Sequence, residues 1–194
     1  MNGKTTVEAV SATELLRGDH RRIRELFSDF ESVDRETKNY IARTAIDEIE
    51  LHTLLEEKLF YPAVRSQVEE AGELVAESVE AHHLAKILIT ELKVIPYGDR
   101  YHAKFSKLAD TVLEHLKEEE EVLFPMVEKS DLDLQELGLE MAHLKMRAVS
   151  KRGMGFRSVG LGRAAAILAF GTLAAFGVAL FARSRSERFA MSER

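Results

Sequence analysis

Two stretches of this chain follow one template. Residues 52–62 read HTLLEEKLFYP and residues 115–125 read HLKEEEEVLFP: a histidine, three residues, Glu-Glu, four residues, a proline. Residues four apart share one face of a helix. His52 therefore stands beside Glu56, and His115 beside Glu119. Both pairs fall on stripes that are otherwise apolar: Ile41, Ala45, Ile49 and Leu59 around the first, Leu108, Val112, Val122 and Met126 around the second. A carboxylate turned toward a core costs several kcal/mol unless something compensates it. A metal cation compensates the carboxylate and the imidazole together, so the fold is constrained to bring these two helices around one charged layer.

The rest of the chain reads the same way. Ser11 and Glu14 form a capping box opening a helix with Leu16, His20, Ile23, Phe27 and Phe30 on one face. A second helix is expected from about 36 to Pro62, a third over 72–94 with His82 among Val75, Val79, Ile89 and Leu92, and a fourth from about 100 to Pro125 after the turn at 96–99. No segment alternates with the period of a strand. The expected fold is all-α: an up-down-up-down four-helix bundle over 10–130, followed by a C-terminal hydrophobic, membrane-spanning helix.

Depth ties the histidines together. His52 and His115 each lie ten residues before their proline, His82 lies ten after Gly72, and His20 lies nine after Ser11. In an up-down-up-down bundle all four then sit at one level, about 15 Å from one end. A lone helical histidine is ordinarily a satisfied or exposed side chain; four at one depth with two paired carboxylates are not a chance pattern. The candidate metal ligands are His20, His52, Glu56, His82, His115 and Glu119. Nitrogen and oxygen donors without sulfur suit iron, manganese, zinc or copper, and two carboxylates able to bridge suit two ions better than one. Glu118, Glu120 and Glu121 are expected on a solvated face, with Glu118 a reserve ligand. His83 is turned away from the stripe. His102 falls outside the layer at the surface. Glu140 and His143 have the spacing of a ferritin-like di-iron motif, but it occurs once only and outside the long helices, so it carries no weight.

Charge divides the chain. Residues 1–143 carry a net −14 and residues 144–194 a net +8. The acidic body offers no basic stripe for phosphate, which excludes a nucleic-acid surface there. Cysteine is absent, so thiolate sites and disulfides are excluded. Residues 1–20 contain no signal-peptide run. A short amphipathic helix over about 133–149 and a basic, glycine-punctuated linker make up 131–163. The uncharged run at 164–182 spans about 28 Å as a helix and is expected to be a single-pass membrane anchor, followed by a basic tail over 183–194. Gly171 and Ala175 could pair two such helices as a homodimer. The excess of Lys and Arg before the run places the bundle on the cytoplasmic side.

GDHRRIRELF with His20, HTLLEEKLFYP with His52 and Glu56, AHHLAKILITEL with His82, and HLKEEEEVLFP with His115 and Glu119 together resemble the hemerythrin-like, HHE cation-binding family over about residues 10–130. The resemblance implies a four-helix bundle holding a non-heme di-iron centre, two Fe ions with an oxo or hydroxo bridge. Glu56 and Glu119 would bridge them and His20, His52, His82 and His115 would be terminal ligands. It also implies an open position for O2 or a small oxidant. The sequence departs from the oxygen-carrying members one turn after His82, where Lys86 stands in place of a fifth histidine. It also lacks the cysteine-bearing domain of the iron–sulfur repair members.

Three functions remain open on the sequence: a membrane-anchored di-iron protein that binds or senses O2, peroxide or nitric oxide; a di-iron oxidoreductase acting on peroxide or nitric oxide; and a membrane-tethered interaction bundle whose polar layer holds no functional metal. Another divalent metal could serve in place of iron. No nucleophile–base set or dinucleotide fingerprint is present.

Overall fold

The computed structural model describes residues 10–156. Residues up to Ser150 form one compact unit; a second begins at Lys151. All described elements are helical. Helix α1 spans Ala12–Ser32 and α2 spans Arg35–Leu55. A π turn at Glu56–Phe60 carries α2 directly into α3, Tyr61–Gln67. After a single 3-10 turn comes α4, Gly72–Val94, then α5, Asp99–Glu118. A second π turn at Glu119–Leu123 joins α5 to α6, Phe124–Val127, and α7 covers Leu134–Phe156.

Local chemistry starts these helices where expected. Ser11 caps α1 and Glu14 returns the bond to the Ser11 backbone. Asp34 caps α2 by accepting from the backbone N–H groups of Glu36 and Thr37. Each such cap is worth about 1 kcal/mol. Helices α1 and α2 lie along each other, as do α4 and α5.

The expected four-helix bundle with a membrane-spanning helix is corrected. Among the described residues there are five long helical stretches, because α7 runs 23 residues rather than ending near 149. It packs on the bundle through buried Leu137 and Met141. Gly138 lies against the start of α1: a Cβ there would meet the Val10 carbonyl oxygen, with Ser11 and Ala12 backbone atoms at 2.9 Å. Among the described residues no helix is long and apolar enough to cross a membrane. The run at 164–182 lies outside the described residues. The membrane anchor, the single-pass cytoplasm-facing localisation, the membrane as partner and the homodimer contact through that helix therefore have no structural basis.

A second correction concerns the prolines. The helices were expected to stop at Pro62 and Pro125, since proline lacks an N–H and its ring clashes with the carbonyl four residues back. They continue, because the turn before each proline is widened. Tyr61 N–H donates to Glu56 O and Phe124 N–H to Glu119 O, five residues back. The extra residue also turns Val122 out to 45% exposure, off the stripe expected for it. Val79 is likewise at the surface, at 37%.

Among the described residues the core is two apolar clusters. One contains Ile23, Phe27, Phe30, Ile49, Ile89, Phe105 and Leu116; the other contains Leu16, Leu55, Phe60, Val75, Leu123, Phe124 and Met141. Along α1, α2 and α4, the chain passes from one cluster to the other at the histidine. On α5 it does so at Glu119. The polar residues thus form a single slab between two oily ones.

Candidate metal centre

All six sequence-predicted ligands lie in this slab, brought from α1, the α2–π junction, α4 and the α5–π junction. Their exposures are 0% for His20 and Glu56, 1% for His52, His82 and Glu119, and 5% for His115. Each π turn begins at the carboxylate itself. Such turns cluster at functional sites.

The donor atoms form two groups that share Glu56. His20, His52, Glu56 and Glu119 make one; Glu56, His82 and His115 make the other. Within each group the candidate atoms all lie within 4.8 Å of one another. His52 Nε2 lies 3.1 Å from Glu56 Oε2 and His82 Nε2 lies 3.2 Å from the same oxygen. His20 Nε2 lies 3.4 Å from Glu119 Oε2, and His115 Nε2 lies 3.6 Å from it. The Nε2 atoms of His82 and His115 are 3.0 Å apart. Neighbouring vertices of a metal polyhedron with bonds of about 2.1 Å are about 3 Å apart. Both oxygens of Glu56, Oε2 of Glu119 and the Nε2 atoms of His20 and His52 have no hydrogen-bond partner. Buried polar groups are normally satisfied, so a slab of unsatisfied donors converging on itself fits cations.

The electrostatics favour ligation. Burial, then the neighbouring imidazoles, push His52 well below the usual histidine range. Burial and His115 bring His82 down to about 4. Burial lowers His115 too, against the pull of Glu119. Neutral imidazole is the form that binds a metal. The two glutamates diverge. Burial and the Glu119 charge raise Glu56 well above its ordinary value. Burial raises Glu119 as well, but His115, His20 and His82 outweigh it and hold Glu119 at about 2. Two carboxylates in one buried layer disfavour each other's ionisation, and it is Glu56 that is pushed up.

Several site residues escaped the sequence reading. Tyr61 donates from its hydroxyl to Glu119 Oε1 at 2.9 Å and lies 3.3 Å from His82 Nε2. Burial, Glu56 and Glu119 raise its phenol well above 10, so it remains a donor. The signal was the template itself: Tyr61 occupies the position of Phe124, which stacks on His20 at 5.4 Å. Glu57 and Glu120, the second glutamates of the two doublets, were also missed. Glu57 Oε1 is 3.1 Å from His82 Nδ1 and Glu120 Oε1 is 2.8 Å from His20 Nδ1. Glu120 is therefore not on a solvated face, as had been expected. Glu118, the reserve ligand, is exposed, as are His83 and His143. His102 is half-buried against Phe30 and Tyr97 rather than at the surface. A cleft of about 290 Å³ between α2 and α4, lined by Ile49, Thr53, Leu54, Glu57, Lys86 and Ile89, reaches Glu57; none of the six inner residues lines it.

The profile of the hemerythrin HHE cation-binding domain matches residues 11–127. This chain belongs to the hemerythrin HHE family. The fold agrees with that membership. A crystal structure of a hemerythrin HHE cation-binding domain-containing protein from Mycobacterium kansasii superposes with a TM-score of 0.66 at 23% identity, covering 78% of this chain and 95% of that one. A protein of Nostoc sp. named DNA nickase is 29% identical over 119 residues, 59% of this chain but 32% of its own length. This hemerythrin HHE chain thus spans about a third of that relative.

Proposed function

We propose that this chain holds a non-heme di-iron centre that binds or senses O2 or a related small molecule, nitric oxide or peroxide. The observation that carries the reading is the shared carboxylate: Glu56 belongs to both donor groups, as a bridge between two ions must. In this assignment His20, His52 and Glu119 hold one ion with Glu56, and His82 and His115 hold the other. Family membership favours iron over other divalent metals. When bound, a pair of irons supplies two one-electron changes of oxidation state and coordination positions open to a small ligand.

The chain's own residues set the terms. The six ligand side chains are at most 5% exposed, so an outside ligand has to be small to reach them. The Tyr61 hydroxyl remains protonated and donates a hydrogen bond inside the layer. The His82–His115 group offers three donors against four in the other, which favours it as the position where an outside ligand enters. That same inequality supports the alternative reading, an oxidoreductase turning over peroxide or nitric oxide. The nickase named for the Nostoc relative is a protein about three times the matched length, and its activity is not carried to this chain.

The test is to load the full chain with ferrous iron without oxygen, measure iron by elemental analysis, and record visible spectra in air and after dithionite. Two irons per chain and a band that bleaches on reduction are expected. A colourless chain without iron would overturn the proposal. Steady turnover of peroxide, lost in Glu56→Ala, would select the oxidoreductase over the binding protein.

A further inference from the structure

The halves of the chain repeat more than the two carboxylate templates. His20 is followed four residues later by Arg24, and His82 by Lys86. Each of these cations reaches the second glutamate of the opposite half. Arg24 donates to both oxygens of Glu120, at 2.8 and 3.1 Å, and Lys86 donates to Glu57. Those same glutamates meet the Nδ1 atoms of His20 and His82. The pattern is reciprocal. Glu57 comes from the first half and holds the second half's His82; Glu120 comes from the second half and holds the first half's His20. By contrast, the Nδ1 atoms of His52 and His115 have no hydrogen-bond partner.

A neutral imidazole carries one N–H. An acceptor on the Nδ1 side places the hydrogen there and leaves the Nε2 lone pair free. In both braced rings Nε2 is the atom that faces the slab. Outer carboxylates of this kind fix ring orientation and raise ligand basicity. A guanidinium or ammonium at i+4 keeps the carboxylate from swinging into water, which it would otherwise favour: Glu57 and Glu120 side chains are 31% and 27% exposed.

We propose that Glu57 and Glu120 are positioning residues exchanged between the halves of the chain, each fixing the tautomer and aim of one metal-facing histidine, with Lys86 and Arg24 holding them in place. Lys86, where oxygen carriers would have a fifth histidine, is then the counterpart of Arg24 rather than a lost ligand. The inference rests on the di-metal reading for its purpose, but the ring tautomers are independent of any metal.

The experiment uses the full chain labelled with 15N and stripped of metal by chelation, with long-range proton–nitrogen spectra reporting the tautomer of each histidine. His20 and His82 are expected as Nδ1–H. Glu57→Ala should shift His82 alone, Glu120→Ala His20 alone, and Glu57→Gln, which keeps an acceptor oxygen, should restore His82. On metal titration, Glu57→Ala and Glu120→Ala should each weaken one ion by about 10–100-fold and spare the other. If Glu57→Ala does not fold, Lys86→Met, at a half-exposed position, should loosen His82 partially, and Lys86→Arg should restore it. Unchanged tautomers, or both rings moving together in either variant, would overturn the proposal. Failure of the wild-type chain to take up metal while the tautomers behave as expected would overturn the di-metal reading and leave the braces standing.

Discussion

Glu56 has no exposed surface and neither of its oxygens has a hydrogen-bond partner. A buried unsatisfied polar group costs about 1–3 kcal/mol. Methionine at this position keeps the volume and removes the polar atoms, and with them the cost of burying carboxyl oxygens that no hydrogen bond satisfies. Glu56→Met is therefore expected to leave the metal-free chain at least as stable as wild type while abolishing uptake of both ions. Urea unfolding with and without metal checks both halves; a metal-free variant much less stable than wild type would mean that Glu56 is held by a network rather than kept for a cation. Tyr61→Phe makes the converse case. It removes a hydrogen bond to an ionised carboxylate, worth about 1.5–3 kcal/mol, and should lower stability by that order, since Glu119 Oε1 then loses its donor. The sequence made Glu56 legible because a charged residue interrupts an apolar stripe. It hid Tyr61, because a tyrosine on such a stripe reads as core until its hydroxyl has an address.

The elements show where periodicity stops informing. The Ser11 cap and the common depth of the four histidines were legible, because both depend on spacing within single helices. The π turns were not. Glu56–Phe60 and Glu119–Leu123 use ordinary helical residues, and the proline after each had the look of a stop. The packing of α7 on α1 was missed for a different reason: it depends on Gly138, and a close approach between helices leaves no local pattern. Helices on either side of this contact also meet through the Lys145–Asp19 ion pair, one residue from His20. Gly138→Ala places a methyl group against the backbone of Val10, Ser11 and Ala12, which is not a flexible side chain that can yield. Overpacking of this kind costs about 1–3 kcal/mol, and for a chain of this size each kcal/mol is about 2–4 °C in melting temperature. The expected result is a drop of several degrees. A variant that melts with wild type would show that α7 is not held at this approach.

At the scale of the molecule, the slab couples stability to pH and to metal. In the unfolded chain His52, His82 and His115 take up protons near 6.5; in the bundle burial keeps all three neutral to lower pH, His82 to about 4. Between those values the unfolded state binds more protons, so stability rises with pH across the window and is lost as pH falls through it. Glu56 opposes this. Its raised value means that the folded state keeps a proton the unfolded state loses above 4.5, so its contribution weakens the fold as pH rises. Three imidazoles against one carboxyl leave the net slope positive. The urea midpoint of the chelated chain should therefore be lower at pH 5 than at pH 7, and a flat or inverted dependence would mean the imidazoles are not held neutral. Metal steepens the dependence. Its ligands must be deprotonated to bind, and an ion at a hundred times its dissociation constant adds about 2.7 kcal/mol to the native state. Acidification then removes the ion and its stabilisation together. The difference in midpoint between loaded and chelated chains should be largest at neutral pH and close toward pH 5. A layer that is only a hydrogen-bond network has no loaded state to lose, and for it the two curves would coincide at every pH.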